Sequence, residues 1–132
     1  MVIDTSALIG ILQQEPEAAN FARAIQDDQV RLLSAVSALE TAVVIEARKG
    51  PSGGRDLDLL LHRAQVEVVA FSSEQFEAAR AAYRRYGKGI HPAALNLGDC
   101  CAYALARISG EPLLAKGEDF TKTDLRVIGR QG

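Results

Sequence analysis

Four acidic residues are spaced through this 132-residue sequence at points where strands or helices are predicted to end or begin. Asp4 directly follows an apolar pair, Asp119 follows an apolar segment at residues 112–115, and Asp99 opens a predicted helix. Glu40 lies in the first turns of another helix. Carboxylates brought together select hard cations, which favours Mg²⁺ or Mn²⁺ over zinc. A cation held in this way can activate water and stabilise charge on a phosphate, so these residues predict phosphodiester hydrolysis.

Strand-like and helix-like segments alternate along the chain, and this alternation predicts a sheet that would bring the acids together. It favours an α/β fold with helices on both faces of a central parallel sheet of four to five strands. In such sheets ligands bind beyond the carboxyl ends of the strands, where the acids are expected to lie. A break is predicted at residues 50–54, a loop at 87–98 and a turn at 117–120. The predicted strands are 2–3, 31–34, 66–71, 112–115 and 125–128, and the predicted helices are 7–13, a segment restarting at 15–17, 37–49, 55–65, 72–86 with a capping box, and 99–108.

Glu40 is the acid that a surface position explains least well. It lies four residues after Val36 and three before Val43, so it is expected to point toward the apolar side of its helix. An unpaired charge on that side is costly, and the stripe contains no basic residue. We therefore expect Glu40 to need a cation as partner. The predicted stripe consists of Val36, Leu39, Val43, Val44 and Ala47.

The other three acids also have purely structural explanations. Asp4 and Asp99 could each be the N-cap of the helix that follows. Asp119 could be a turn residue. These alternatives stay open at the level of the sequence.

The histidines and cysteines suggest no competing metal site. His62 and His91 lack the spacing of metal ligands and are expected at the surface or in a loop. Cys100 and Cys101 are adjacent, which fits neither a disulfide framework nor a zinc site. We expect them to be small residues within a helix.

The composition is that of an ordinary globular domain, with 48% hydrophobic and 24% charged residues. The length predicts one domain spanning residues 1–132. No apolar run is long enough to span a membrane, and the first residues contain Asp4 and no basic segment, so we expect no secretion signal and a cytoplasmic location. The net charge is −2, so a nucleic-acid substrate would have to be held by a local basic patch.

A candidate for that patch precedes Asp99. The segment at residues 83–88 contributes Arg84, Arg85 and Lys88, and Lys116 and Lys122 are further candidates. The alternative is a solvated helix end, where cations interact favourably with the helix dipole.

Several short motifs carry a resemblance to a known family. They are MVIDTSAL at the start, SALETA at residues 37–42, NLGDC at 96–100, LLAKGEDF at 113–120 and TDL at 123–125. Asp-Thr-Ser alone is weak evidence, whereas the ordered set covers the chain from end to end. The sequence resembles the PIN-domain ribonuclease toxins of the VapC family, which belong to type II toxin–antitoxin systems.

The resemblance implies an α/β/α sandwich that cleaves tRNA, ribosomal RNA or mRNA endonucleolytically with Mg²⁺ or Mn²⁺. It assigns catalysis to the four acids, and the metal to Asp4 and Asp99 in particular. It also implies a small antitoxin as partner and a homodimer. Ser6 and Thr123 are the implied supporting hydroxyl residues, and Glu118 is an extra acid beside Asp119, with the residue closer to the metal left open.

Other protein classes of this size and alternation fit less well. A phosphoacceptor receiver domain would need a further Asp closing the mid-chain strand, and residues 68–72 contain none. A phosphatase with an aspartyl nucleophile would need a second Asp where Ser6 stands. A non-catalytic protein-binding domain of the PIN fold remains the alternative, although it has no reason to keep Glu40 on an apolar face.

Overall fold

The computed structural model describes residues 1–128, in which short strands alternate with helices as predicted. A 3-10 helix at Asp119–Lys122 replaces part of the predicted turn. The strands are β1 (Val2–Ile3), β2 (Leu32–Ser34), β3 (Glu67–Val69), β4 (Leu113–Leu114) and β5 (Val127–Ile128). The helices are α1 (Thr5–Leu12), α2 (Ala18–Asp27), α3 (Ala35–Lys49), α4 (Pro51–Arg63), α5 (Ser73–Tyr86) and α6 (Leu97–Ser109).

The strands form one parallel sheet in the order β3-β2-β1-β4-β5, which confirms the predicted α/β fold. β1 lies at the centre, where Val2 pairs with Leu32 on one side and with Leu113 on the other. Val2 packs in the core beneath α5 and α6, whereas Ile3 packs in the core formed with α1 to α4. Both residues are completely buried because helices cover both faces of the sheet.

Asp4 caps α1, which begins at Thr5, earlier than predicted. Polar caps also start α3 and α6 earlier than predicted. Ser34 accepts a hydrogen bond from the Val36 amide, so α3 starts at Ala35. Asn96 accepts one from the Asp99 amide, so α6 starts at Leu97 and Asp99 lies in its first turn. Both caps satisfy amide groups that would otherwise lack a partner at a helix start.

The predicted break at residues 50–54 is wrong beyond its first residue. Gly50 alone has a left-handed backbone, with φ of 67°, and α4 begins directly after it at Pro51. Proline fits the first position of a helix because the amide hydrogen that it lacks has no partner there. In contrast, the helix predicted to restart at residues 15–17 begins later, at Ala18.

Cys100 and Cys101 are unpaired, buried residues of α6, as expected. Within residues 1–128, no helix has the length and apolar character needed to cross a membrane.

Candidate active site

Asp4 leaves the end of β1 and caps α1. Its side chain is almost fully buried, and Oδ2 accepts hydrogen bonds from the Ser6 amide at 3.0 Å and the Ser6 hydroxyl at 2.6 Å. The Ser6 hydroxyl also accepts a hydrogen bond from the backbone amide of Lys116, 2.9 Å away. Ser6 therefore connects the carboxyl end of β1 with that of β4.

Asp99 lies in the first turn of α6, where its Oδ2 accepts a hydrogen bond from the Asn96 amide. Burial, together with the negative charges of Asp4, Glu40 and Asp119, raises the pKa of Asp99 to about 6. Burial likewise raises the pKa of Asp4, and the charge of Glu40 adds to the effect. The four acids thus lie within electrostatic reach of one another although they come from distant parts of the chain.

The capping roles of Asp4 and Asp99 do not conflict with a role in binding a cation. Each cap uses Oδ2. The hydrogen bonds from Ser6 and Asn96 do not use Oδ1 of either carboxylate. One oxygen can therefore fix the helix start while the other faces a ligand.

The predicted apolar stripe of α3 is wrong. The buried face of the helix carries Ser37, Thr41 and Ile45, whereas Leu39 is 66% exposed and Val43 is 60% exposed. Glu40 is half-buried, and its carboxylate lies against the backbone of Gly98, directly before Asp99. Its proximity to the other acids therefore comes from contact with α6, and not from a core-facing stripe.

A buried cluster of hydroxyl groups, absent from the sequence-based candidates, joins the helices of Asp4 and Glu40. Thr5 donates a hydrogen bond to the Ser37 carbonyl at 3.1 Å. The Thr41 hydroxyl lies 2.7 Å from the same carbonyl and 3.1 Å from the Thr5 hydroxyl. The sequence does hold a signal, because Ser37, Thr41 and Ile45 recur every four residues, the spacing of one helix face.

The remaining supporting residues lie in the turn between β4 and β5. Asp119 is exposed in the 3-10 helix, and its charge reaches Asp99. Glu118 is also exposed, and Thr121 donates a hydrogen bond to its carboxylate. Thr123 donates to the Phe120 carbonyl at 2.6 Å and accepts from the Leu125 amide at 3.2 Å, so its hydrogen bonds shape the turn.

Two of the predicted RNA-binding cations already have acidic partners. Lys116 lies 2.9 Å from Glu15 and 3.2 Å from Glu17, which raise its pKa. Arg85 lies 3.8 Å from Asp124, which also pairs with Arg107.

Arg107 comes two turns after Asp99 along α6, a distance of about 12 Å. Arg85, which shares its acidic partner, is therefore set apart from the acids. Arg84, Lys88 and Lys122 are exposed, and no ion pair involves any of the three within residues 1–128.

The donor set fits a hard divalent cation. No Lys or Arg within residues 1–128 forms an ion pair with any of the four acids, and burial raises the pKa of two of them. In that part of the chain, no group of three or more His, Cys, Asp or Glu side chains is arranged to hold a metal ion. Mg²⁺ is commonly held by one or two carboxylates and several waters, so Asp4 and Asp99 suffice as protein ligands.

Comparison with known proteins identifies the family to which this α/β fold belongs. The PIN-domain family model matches residues 1–125. Ribonuclease VapC30 of Mycobacterium tuberculosis is 60% identical over 128 residues, which cover 97% of this chain and 98% of that protein. This chain belongs to the VapC family of PIN-domain proteins. The resemblance inferred from the motifs is therefore confirmed, and ribonucleases with PIN domains generally depend on a divalent metal ion.

Solved structures of a toxin and of a toxin–antitoxin complex share the fold at low sequence identity. M. tuberculosis VapC20, described as a toxin that cleaves the sarcin–ricin loop, superposes with a TM-score of 0.76 at 17% identity, over 94% of this chain and 95% of that one. A toxin–antitoxin complex from Klebsiella pneumoniae gives a TM-score of 0.76 at 18% identity, with coverages of 99% and 98%. At these identities the likeness establishes the fold alone.

The raised pKa of Asp99 predicts how Asp99→Asn changes the stability of this VapC protein without metal. The folded state holds the Asp99 proton more tightly than the unfolded chain, whose pKa is near 3.8. Ionised Asp99 therefore destabilises the fold, progressively as pH rises from about 4 and fully above about 6. Asp99→Asn should raise the free energy of unfolding by about 1–2 kcal/mol at pH 8 and by much less at pH 4. Urea unfolding in EDTA at both pH values measures this difference.

Asp58→Asn on α4 is the matched control for this measurement, because it removes one carboxylate charge from an exposed position. A midpoint for Asp99→Asn that stays at the wild-type value throughout the pH range would contradict electrostatic strain at Asp99.

Proposed function

We propose that this VapC protein is the toxin of a type II toxin–antitoxin system, an endoribonuclease that hydrolyses RNA phosphodiester bonds with Mg²⁺. The observation that carries the proposal is the convergence of Asp4, Glu40, Asp99 and Asp119 at the carboxyl edge of the sheet, where the charges of the other three raise the pKa of Asp99. The relative that is 60% identical is named a ribonuclease, which agrees with this chemistry.

The proposed roles follow from the position of each side chain. Asp4 and Asp99 hold the ion, with Mn²⁺ as the alternative to Mg²⁺; when bound, it activates water and stabilises charge on the phosphate. Glu40 lies beside Asp99 and accepts a proton from the attacking water. Ser6 orients the Asp4 carboxylate through its two hydrogen bonds. Asp119, with Glu118 and Thr123 in the same turn, borders the exposed side of the site.

We also propose the partners and setting that VapC membership suggests. A small antitoxin protein binds the chain, as in the Klebsiella complex of the same fold. The substrate is tRNA, ribosomal RNA or mRNA, and the cytoplasm is where a toxin meets these RNAs. The nuclease domain comprises residues 1–132.

A homodimer is supported by an apolar face on α3, α5 and α6. Leu39, Val43 and Leu97 form an exposed ridge, and Leu97 is 81% exposed. Beside the ridge lies a hollow of about 530 Å³, and Val36 and Leu97 border both this hollow and a second one along α3. Ridge and hollow share one face, so a two-fold axis can seat the ridge of each copy in the hollow of the other. The hollow is lined mainly by Phe71, Phe76, Ala79, Cys100 and Cys101.

Catalysis is tested with purified protein and defined RNA. Wild type should cleave RNA with Mg²⁺ or Mn²⁺ and stop when EDTA is added. Asp99→Asn removes a ligand charge at constant size, so the single-turnover rate should fall by about 10²-fold or more. Asp58→Asn, which changes an exposed acid of α4, should retain the wild-type rate. A wild-type rate for Asp99→Asn would contradict the site assignment, and an inactive wild type would favour the non-catalytic alternative.

The basic patch is tested by the salt dependence of RNA binding. Replacing Arg84 and Lys88 together by Ala removes two exposed cations, so affinity should fall and the slope of log K against log salt should become shallower by about 0.7 per lost contact. Arg55→Ala on α4 is the control with one exposed cation removed elsewhere. An unchanged slope for the double variant would exclude these two residues from phosphate contact.

The dimer is tested by light scattering across a concentration series. Leu97→Glu places a charge on the apolar ridge, so the wild-type dimer should become a monomer at micromolar concentration. Leu59→Glu on α4 introduces the same charge at a residue that is 47% exposed and should leave the dimer intact. A monomeric wild type, or a Leu97→Glu variant that remains dimeric, would contradict this interface.

A further inference from the structure

Gly98 lies between the N-cap of α6 and Asp99, in a space that admits no side chain. It is buried, and its backbone is not left-handed, so glycine is not required there for conformational reasons. A Cβ atom at this position would lie 2.5 Å from Oε2 of Glu40, 2.8 Å from Oε1 and 2.9 Å from Cδ. The whole carboxylate of Glu40 therefore occupies the space that any larger residue would need.

The atoms in conflict decide what a substitution would do. They belong to the end of a long, flexible side chain, which moves more easily than the backbone of two packed helices. An added methyl group would therefore displace the Glu40 carboxylate and leave α6 where it is. Gly53 shows the opposite case, because a Cβ there would lie 2.7 Å from the backbone oxygen of Ile45.

We propose that Gly98 is a positioning residue, whose missing side chain lets the Glu40 carboxylate lie against the first turn of α6 beside Asp99. This inference rests on the proposed function, since it assigns the position of an acid in the proposed reaction. It gives the glycine of the Gly98-Asp99 pair a chemical role: Gly98 sets the distance between two acids that come from different helices. A larger side chain would displace the Glu40 carboxylate, because both need the same space.

The chain contains a matched control for this substitution. A Cβ on Gly54 of α4 would lie 2.9 Å from Cδ of Glu46 and 3.0 Å from its Oε2, so it too would displace a glutamate carboxylate. Glu46 lies near the other end of α3 from Glu40 and is exposed. Gly54→Ala therefore reproduces the change in a helix and the displaced glutamate without touching the site.

The first readout is kinetic. Gly98→Ala should lower kcat for RNA cleavage by about 10²-fold, the loss that a misplacement of about 1 Å can cause, with KM little changed. Its Tm should match or exceed that of wild type, because alanine favours a helix more than glycine does. Gly54→Ala should retain the wild-type kcat. A wild-type kcat for Gly98→Ala, or a Tm well below that of Gly54→Ala, would overturn the proposal.

A double-variant cycle separates positioning from a general structural effect. With Glu40→Ala already present, Gly98→Ala should leave the residual rate unchanged, because no carboxylate remains to displace. A further loss of the same size as in the wild-type background would show that Gly98 acts independently of Glu40 and would overturn the proposal.

A crystal structure of Gly98→Ala provides a readout that does not depend on activity. The Glu40 carboxylate should have left the first turn of α6, with the backbone of that turn unchanged. A carboxylate that stays in place while the helix shifts would overturn the proposal. An inactive wild type would refute the proposed function, whereas this structure would still show whether Gly98 controls the position of Glu40.

Discussion

The burial of Asp4 and the partial burial of Asp99 beside other carboxylates are the constraint on which the rest of this structure depends. Asp4 and Asp99 both have raised pKa values because burial and the other acids oppose their ionisation. Each is nevertheless fixed by hydrogen bonds that favour the charged form, from Ser6 in one case and Asn96 in the other. The fold therefore keeps together groups that would separate if they were free, and a divalent cation is the ligand that relieves the cost.

Hydrogen bonds of small polar residues hold in place the elements that carry these acids. Ser6 ties the ends of β1 and β4, while the Thr5, Ser37 and Thr41 cluster ties α1 to α3. Both sets lie beside the acids and use short side chains with few rotamers. They fix the position of α1, which Asp4 caps, relative to α3, which carries Glu40. A purely apolar contact between these helices would fix their relative position less tightly.

The sequence predicted the sheet and pointed to the four acids as candidates, because both inferences depend on local patterns. Apolar strand segments, cap residues and the acids that follow them can be read from neighbouring residues. The buried face of α3 could not be predicted in this way, because Leu39 and Val43 are apolar yet exposed. Periodicity does not distinguish a face in the core from a surface that another molecule covers. The contact between Glu40 and Gly98 joins residues 58 positions apart, so no local pattern reveals it.

The caps at Asp4 and Asp99 link the occupancy of the site to the fraying of two helices. The same carboxylates that we propose as ligands of the ion also accept hydrogen bonds from the Ser6 amide in α1 and from the N-cap amide of α6. A proton or a cation that binds either carboxylate changes the strength of those hydrogen bonds, and the local opening of each helix start changes with it. Binding of a proton or cation at the site is therefore thermodynamically linked to the local opening of these two helix starts.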